Sequence, residues 1–260
     1  MAQRFPVNAA GARPAEGMAG LAKGLAVLEA FDGRAALTIA EAAQATGTTR
    51  AAARRCLLTL ADLGYLGHDG KFFRPTPRTL RLGAIYLEAT PLPRLAQPYL
   101  AGARDALQES VSLAVLEDGW SIFVARAEAE RIVSTGVRVG ARLPAWCSAT
   151  GRVLLGALPP TDLEAYLARL KPDRRTSRTA VDLGVIRARV EAARRDGLAF
   201  SDEELELGMR ALAAPVKDSQ GHVRAAISVS AFAARASLEE MRRRFAPVLV
   251  QAAEEIGRRL

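Results

Sequence analysis

Apolar residues recur at helical spacing through the first third of the chain, and continuous or alternating apolar runs take over behind them, so two kinds of architecture follow one another. Leu21, Leu25, Leu28 and Phe31 mark a short amphipathic helix closed by Asp32-Gly33. Thr38-Ile-Ala-Glu41 has the form of a capping box, in which the hydroxyl accepts from the backbone at Glu41 while that carboxylate reaches back; the helix it opens ends at Gly47. A short turn leads into a further helix over about 49–63, with Ala53, Cys56, Leu57, Leu60 and Leu63 on one face and Ala51, Arg54 and Arg55 on the other. His68-Asp69-Gly70-Lys71 then joins two short extended runs, Asp-Gly being a strong hairpin signal. Helix, helix, turn, helix, hairpin is the order of a winged helix-turn-helix.

Thr76-Pro77 suits an N-cap and first helical position, opening a helix through Leu80, Leu82, Ile85 and Leu87 that the prolines near 90–93 stop. After a helix through Gln108, VSLAVLE and WSIFVARA form a hairpin about Asp118-Gly119, and IVSTGV reads as a third strand. Helices follow at 162–170, where Thr161-x-x-Glu164 has capping-box form, and at about 184–196, ended by Gly197. RALAAPVKD and HVRAAISVSA make a hairpin about Ser219-Gln220-Gly221, before a C-terminal helix opened by Ser237 that Pro247 should kink. Hairpins imply an antiparallel sheet covered by helices, so the fold class is α+β. The predicted organisation is a mobile tail at 1–17, a winged helix-turn-helix at 18–76, a linker helix at 77–92 and an antiparallel-sheet domain at 93–260.

The chain has 260 residues, half of them apolar, which favours two domains with real cores over disorder. The net charge of +8 decides little alone, but its placement is informative. Between residues 50 and 81, Arg50, Arg54, Arg55, Lys71, Arg74, Arg78 and Arg81 face only Asp62 and Asp69. Arginines on one isolated helix would be merely solvated; here they coincide with a reading head, whose second helix presents its first turns to the major groove. Thr48, Thr49, Arg50, Arg54 and Arg55, with Lys71 on the wing, are therefore the candidate contacts to double-stranded DNA, although either threonine could equally cap the helix.

Other chemistry is thin. Two cysteines (Cys56, Cys147) and two histidines (His68, His222) are too few for a zinc or iron site, and buried, reduced thiols are expected. No metal, cofactor or catalytic group is expected: GxSxG, HExxH, P-loop and strand-borne GxGxxG are all missing. The rival reading, an enzyme acting on small acids with an appended DNA-binding module, would have to use His222, or the acids Asp202, Glu203, Glu204 and Glu206, which read better as a solvated loop. A DNA-architectural protein without a ligand is a third reading, separated from the first by whether the C-terminal domain holds a cavity. With no apolar run of about 20 residues and no basic-apolar leader, a cytoplasmic protein without a membrane partner is expected.

The stretch TRAAARRCLLTLADLGYLGHDGKFFRPTPRTLRLG, Thr49 to Gly83, resembles the reading head and wing of IclR-family transcription regulators. GARLPAWCSATGRVLLGAL (Gly140 to Leu158) and the stretch from Asp196 to Ser230 resemble the two signatures of that family's effector-binding domain. RAAARRCLLTL with LPAWCSATGRVLL is most similar to the branch answering to protocatechuate, 4-hydroxybenzoate or β-ketoadipate-pathway metabolites. The resemblance implies a GAF-like sensor fold, homodimers or tetramers, control of a catabolic operon in concert with RNA polymerase, and a small organic acid as effector.

An organic acid needs donors for its carboxylate and a dry wall for its body. Small residues at the helix start Ala149-Thr150-Gly151 leave backbone N–H groups open to an anion, and the resemblance places effector carboxylates at Ala149 and Thr150. It likewise implies effector contacts for Ser201, Ser228 and Ser230; the last two share one strand face. Ser201 stands where some members have an acidic residue, which leaves room for a neutral or phenolic group. Trp146 reads either as a stacking wall or as an ordinary core tryptophan, and Arg152 either neutralises the acid or faces a dimer partner.

Overall fold

The computed structural model describes residues 17–130 and 137–260. Nearly all of the expected N-terminal tail, and the strand expected at IVSTGV apart from its final Val137, lie outside the described residues. The chain divides into two compact units, between Ala89 and Thr90.

The first unit comprises α1 (Ala19–Glu29), α2 (Ile39–Thr46), α3 (Arg50–Asp62), a hairpin of β1 (Leu66–His68) and β2 (Phe73–Pro75), a 3-10 turn at Pro77–Thr79 and α4 (Leu80–Ala89). Both halves of the capping box form: Glu41 N donates to Thr38 Oγ1 and Thr38 N to Glu41 Oε2, at 3.3 and 2.8 Å. Gly47, at φ +62°, ends α2 with the left-handed turn that glycine adopts at least cost. Val27, Leu37, Leu57 and Phe73 are fully or almost fully buried at the centre, and the Leu37 and Phe73 backbones pair, tying the hairpin to the chain ahead of α2. The face expected of α1 is corrected: Leu21 and Leu25 are 60% and 50% exposed, because the core covers this helix only near its C-terminal end, at Val27, and at Phe31 just beyond it. Leu63 likewise lies exposed beyond the end of α3.

The second unit begins with α5 (Pro91–Leu107). The break expected near the prolines occurs, α4 ending at Ala89, and Pro91 and Pro93 also open this next helix, where missing N–H groups cost nothing. Strands β3 (Val111–Glu117), β4 (Trp120–Ala127), β5 (Arg142–Pro144), β6 (Ala199–Asp202), β7 (Met209–Lys217) and β8 (Val223–Phe232) form an antiparallel sheet in the order β5-β4-β3-β8-β7-β6. Between β5 and β6 come α6 (Ala149–Gly156), α7 (Pro160–Arg169) and α8 (Leu183–Asp196); after β8 come a single turn α9 (Leu238–Glu240), a π turn over Met241–Phe245 and α10 (Ala246–Gly257). Thr161 does not cap α7, which starts at Pro160 with Pro159 ahead of it and no side-chain cap. Pro247 falls in the first turn of α10, and the irregularity expected there is taken up by the π turn before it.

Period-two alternation divides the sheet into two faces. Leu113, Leu212, Ile227 and Val229 pack against α5 and α10 through Leu100, Leu249 and Ile256. Ala213 and Ala226 point the other way, onto Ala149 and Val153 of α6. Gly151 permits close approach of that helix, since a Cβ there would stand 2.2 Å from Ala145 Cα. Among the described residues no helix is long and apolar enough to cross a membrane.

Candidate nucleic-acid face and effector pocket

In the first unit, Thr49 caps α3 by accepting from Ala52 N at 3.2 Å, and Thr48 shares a hydrogen bond with Thr46 at 2.8 Å. Both threonines thus have local duties that fix the entry of the helix. Arg50, Arg54 and Arg55 are exposed on α3, opposite the buried Ala53 and Leu57, and none is engaged in an ion pair or hydrogen bond among the described residues. Lys71 is exposed in the turn of the wing, its ammonium 5.1 Å from the Phe72 ring centre. Asp69 accepts from the Phe72 and Lys71 backbones and from Arg74, interactions that hold its carboxyl well below the ordinary range and stiffen the turn. Of the seven cations counted between residues 50 and 81, Arg74 is committed to Asp69, and Arg78 lies over the Tyr65 ring. A row of uncommitted guanidinium groups at the start of a capped helix can neutralise phosphates and read base edges.

The second unit encloses a cavity of about 180 Å³ between the α6 face of the sheet and the segments around Arg175 and Leu205. Ala149, Thr150, Ser201, Ser228 and Ser230 line it. Trp146 and Gly151 do not. Trp146 is buried in a separate cluster with Leu155, Leu163, Leu167 and Ile186, so it is a core tryptophan; Gly151 serves packing and donates its N–H to Ser148 Oγ. Ser121 donates to Thr150 Oγ1 at 2.6 Å, and Ser201 donates to the Cys147 carbonyl at 3.0 Å. Burial pushes the Cys147 thiol up to about 12, which withholds thiolate chemistry at neutral pH.

Sequence reasoning missed Ser112 and Arg126, which enter the cavity from β3 and β4 beside Phe123. A signal existed: each is a polar residue inside an apolar strand run, at VSLAVLE and WSIFVARA. Arg126 Nη1 donates to Ser112 Oγ at 2.9 Å. Leu143, Leu205 and Met209 add apolar wall, with Arg175 and Arg210 also in the lining. A larger cleft of about 610 Å³ between the end of α10 and β7 mixes Asp196, Lys217, Asp218, Glu254 and Arg258 in its lining.

Arg152, expected at the effector or at a partner, is neither. Its Nη1 and Nη2 meet Glu204 Oε1 and Oε2, each at 2.7 Å, and it also donates to the Trp146 and Phe200 carbonyls. Glu204, expected in a solvated loop, is 3% exposed and takes a further hydrogen bond from Arg189 at 2.6 Å. The pair ties the start of α6 to the segment carrying Leu205 and Glu206 into the cavity.

A profile described as "IclR helix-turn-helix domain" matches residues 20–70, and one described as "Bacterial transcriptional regulator IclR C-terminal" matches residues 84–258. The chain belongs to the IclR family. It is a DNA-binding transcriptional regulator with a small-molecule effector domain, not an enzyme. The Pca regulon regulatory protein of Pseudomonas putida is 42% identical over 94% of this chain and 84% of its own length. The p-hydroxybenzoate hydroxylase transcriptional activator of Acinetobacter baylyi is 35% identical over 92% of this chain and 90% of its own. These relatives place the chain with the IclR regulators of aromatic catabolism. The crystal structure of an IclR homolog complexed with 4-hydroxybenzoate, from Microbacterium hydrocarbonoxydans, is similar at a TM-score of 0.74 and 26% identity, over 92% of this chain and 98% of that one.

Proposed function

We propose that this IclR-family regulator controls an operon of aromatic catabolism and that its effector is a one-ring aromatic carboxylate of the protocatechuate or 4-hydroxybenzoate type. The observation carrying this reading is the cavity, whose 180 Å³ falls below the roughly 300–1,000 Å³ of pockets for drug-sized ligands and suits a single ring. Its walls, Phe123, Leu143, Leu205 and Met209, are dry enough for a ring, and its serines and arginines supply donors for an acid and a phenol. The names of the relatives and the 4-hydroxybenzoate in the similar structure point the same way.

On this proposal Arg50, Arg54, Arg55 and Lys71 contact the operator, with Thr48 and Thr49 fixing the helix that carries them. The protein works in the cytoplasm as a dimer or tetramer acting on RNA polymerase. Self-association uses α4, whose Leu80, Leu82, Ile85, Tyr86 and Leu87 are 74%, 41%, 64%, 43% and 40% exposed, so that apolar side chains around this helix are open to cover by a second copy. Effector binding shifts the population of one head spacing over another. A thermal-shift screen of aromatic and aliphatic carboxylates tests the effector class: selective stabilisation by hydroxybenzoates is expected, and stabilisation by aliphatic acids alone would refute it. Arg54→Ala should weaken operator binding by about 1–3 kcal/mol where it makes a bidentate base contact, and unchanged affinity in a gel-shift titration would remove that assignment.

A further inference from the structure

The polar groups of the cavity divide into two ends with different chemistry. At the α6 end the hydroxyls are partnered within the protein: Ser148 accepts from Gly151 N, Ser121 donates to Thr150, and Ser201 donates to the Cys147 carbonyl. At the sheet end, register places Arg126 opposite Ser112 and Ser112 opposite Ser228, so one row of donors crosses β4, β3 and β8 on the face that looks into the cavity.

Among the described residues three arginines line the cavity, and their burial separates them. The Arg126 side chain is 6% exposed, against 35% for Arg175 and 18% for Arg210. Arg210 is directed at Asp202 and at the Ala233 and Ala236 carbonyls, and Arg175 lies near Asp173. Arg126 also has partners, Ser112 Oγ at 2.9 Å and Glu128 3.7 Å from its Nη2, so its burial and its place in the cavity wall, not a lack of partners, distinguish it. Burial lowers the Arg126 pKa from its ordinary value, a desolvation cost that an anion brought into the cavity would offset. A guanidinium presents parallel N–H groups that match the two oxygens of a carboxylate, which an ammonium cannot do.

We propose that Arg126, flanked by the Ser112 and Ser228 hydroxyls, receives the carboxylate of the effector, and that the ring points from there toward α6. The orientation is opposite to that expected from the sequence, which put the acid at Ala149 and Thr150. This rests on the effector reading above. The α6 end, where hydroxyls and the Cys147 carbonyl cluster, then meets the neutral, hydroxylated edge of the ring.

Calorimetry on the full chain tests the assignment, using 4-hydroxybenzoate and 3,4-dihydroxybenzoate with the carboxamide of each, against wild type, Arg126→Gln and Arg126→Lys. The expected result is that Arg126→Gln loses at least about tenfold of the preference for acid over amide while its amide affinity holds, and that Arg126→Lys retains part of the preference. Full preference in a folded Arg126→Gln or Arg126→Lys protein would overturn the proposal and return the carboxylate to the α6 end. Ala211→Phe, which fills the cavity from β7, separates this failure from that of the effector reading. If Ala211→Phe abolishes binding and Arg126→Gln leaves preference intact, only the Arg126 assignment falls; if neither variant alters binding, the cavity is not the effector site.

Discussion

Replacing Arg152 by Met should destabilise the effector unit more than almost any other single change on α6. The Arg152 and Glu204 side chains are only 3% and 4% exposed and are joined by two hydrogen bonds of 2.7 Å, and the guanidinium also satisfies the Trp146 and Phe200 carbonyls. Methionine fills much of the volume but leaves a buried carboxylate with Arg189, itself 40% exposed, as its remaining cation. Breaking a buried pair from one side costs about 3–5 kcal/mol. For a unit of this size each kcal/mol lowers the melting temperature by about 2–4 °C, so a fall of roughly 10 °C is expected. Urea unfolding followed by tryptophan fluorescence suits the measurement, because Trp146 is buried next to the pair. The double variant Arg152→Met/Glu204→Leu should recover at least about 2 kcal/mol, since two apolar residues in place of the pair leave no uncompensated charge. A single variant within about 1 kcal/mol of the parent, or strictly additive effects in the cycle, would refute the reasoning.

Gly151→Ala would set a Cβ 2.2 Å from Ala145 Cα and 2.3 Å from the Ala145 carbonyl oxygen, so the backbone must move. A loss of about 1–3 kcal/mol from overpacking is expected in thermal unfolding, and a neutral result would mean that the start of α6 yields easily. The wing supplies a pH dependence: hydrogen bonds from the Phe72 backbone and Arg74 hold the folded Asp69 pKa below the ordinary 3.8. That stabilisation is present in full above 3.8 and is lost as pH falls from there through the folded value. The DNA-binding unit should therefore unfold more readily in acid, and Asp69→Asn should flatten its pH profile below about 4; an unchanged profile would count against the Asp69 cluster.

Much of the reading head was legible because its signals are local. A capping box spans four residues, an Asp-Gly turn two, and a helical stripe repeats within one or two turns, so Thr38 with Glu41, the β1–β2 hairpin and the exposed Arg54 and Arg55 follow from short-range geometry. The misjudged faces share one cause. Leu21, Leu25 and Leu63 have the right spacing for burial, but periodicity says nothing about whether another element reaches far enough to cover them.

Ser201, Ser228 and Ser230, expected at the effector, line one cavity, yet their setting was not readable in the sequence. Ser112 meets Ser228 only because β3 pairs with β8, more than a hundred residues later in the chain, and Arg126 joins them only through the β3–β4 register. Arg152 and Glu204 find one another across 52 residues of chain. Sequence alone determined most of the helices, the hairpins, the caps at Thr38 and Ser237 and the basic character of the first unit, because those depend on neighbours within a few residues. Which polar residues face a cavity and which cancel in a buried pair was decided by long-range strand order and helix docking, where one residue's meaning depends on a partner that local pattern does not name.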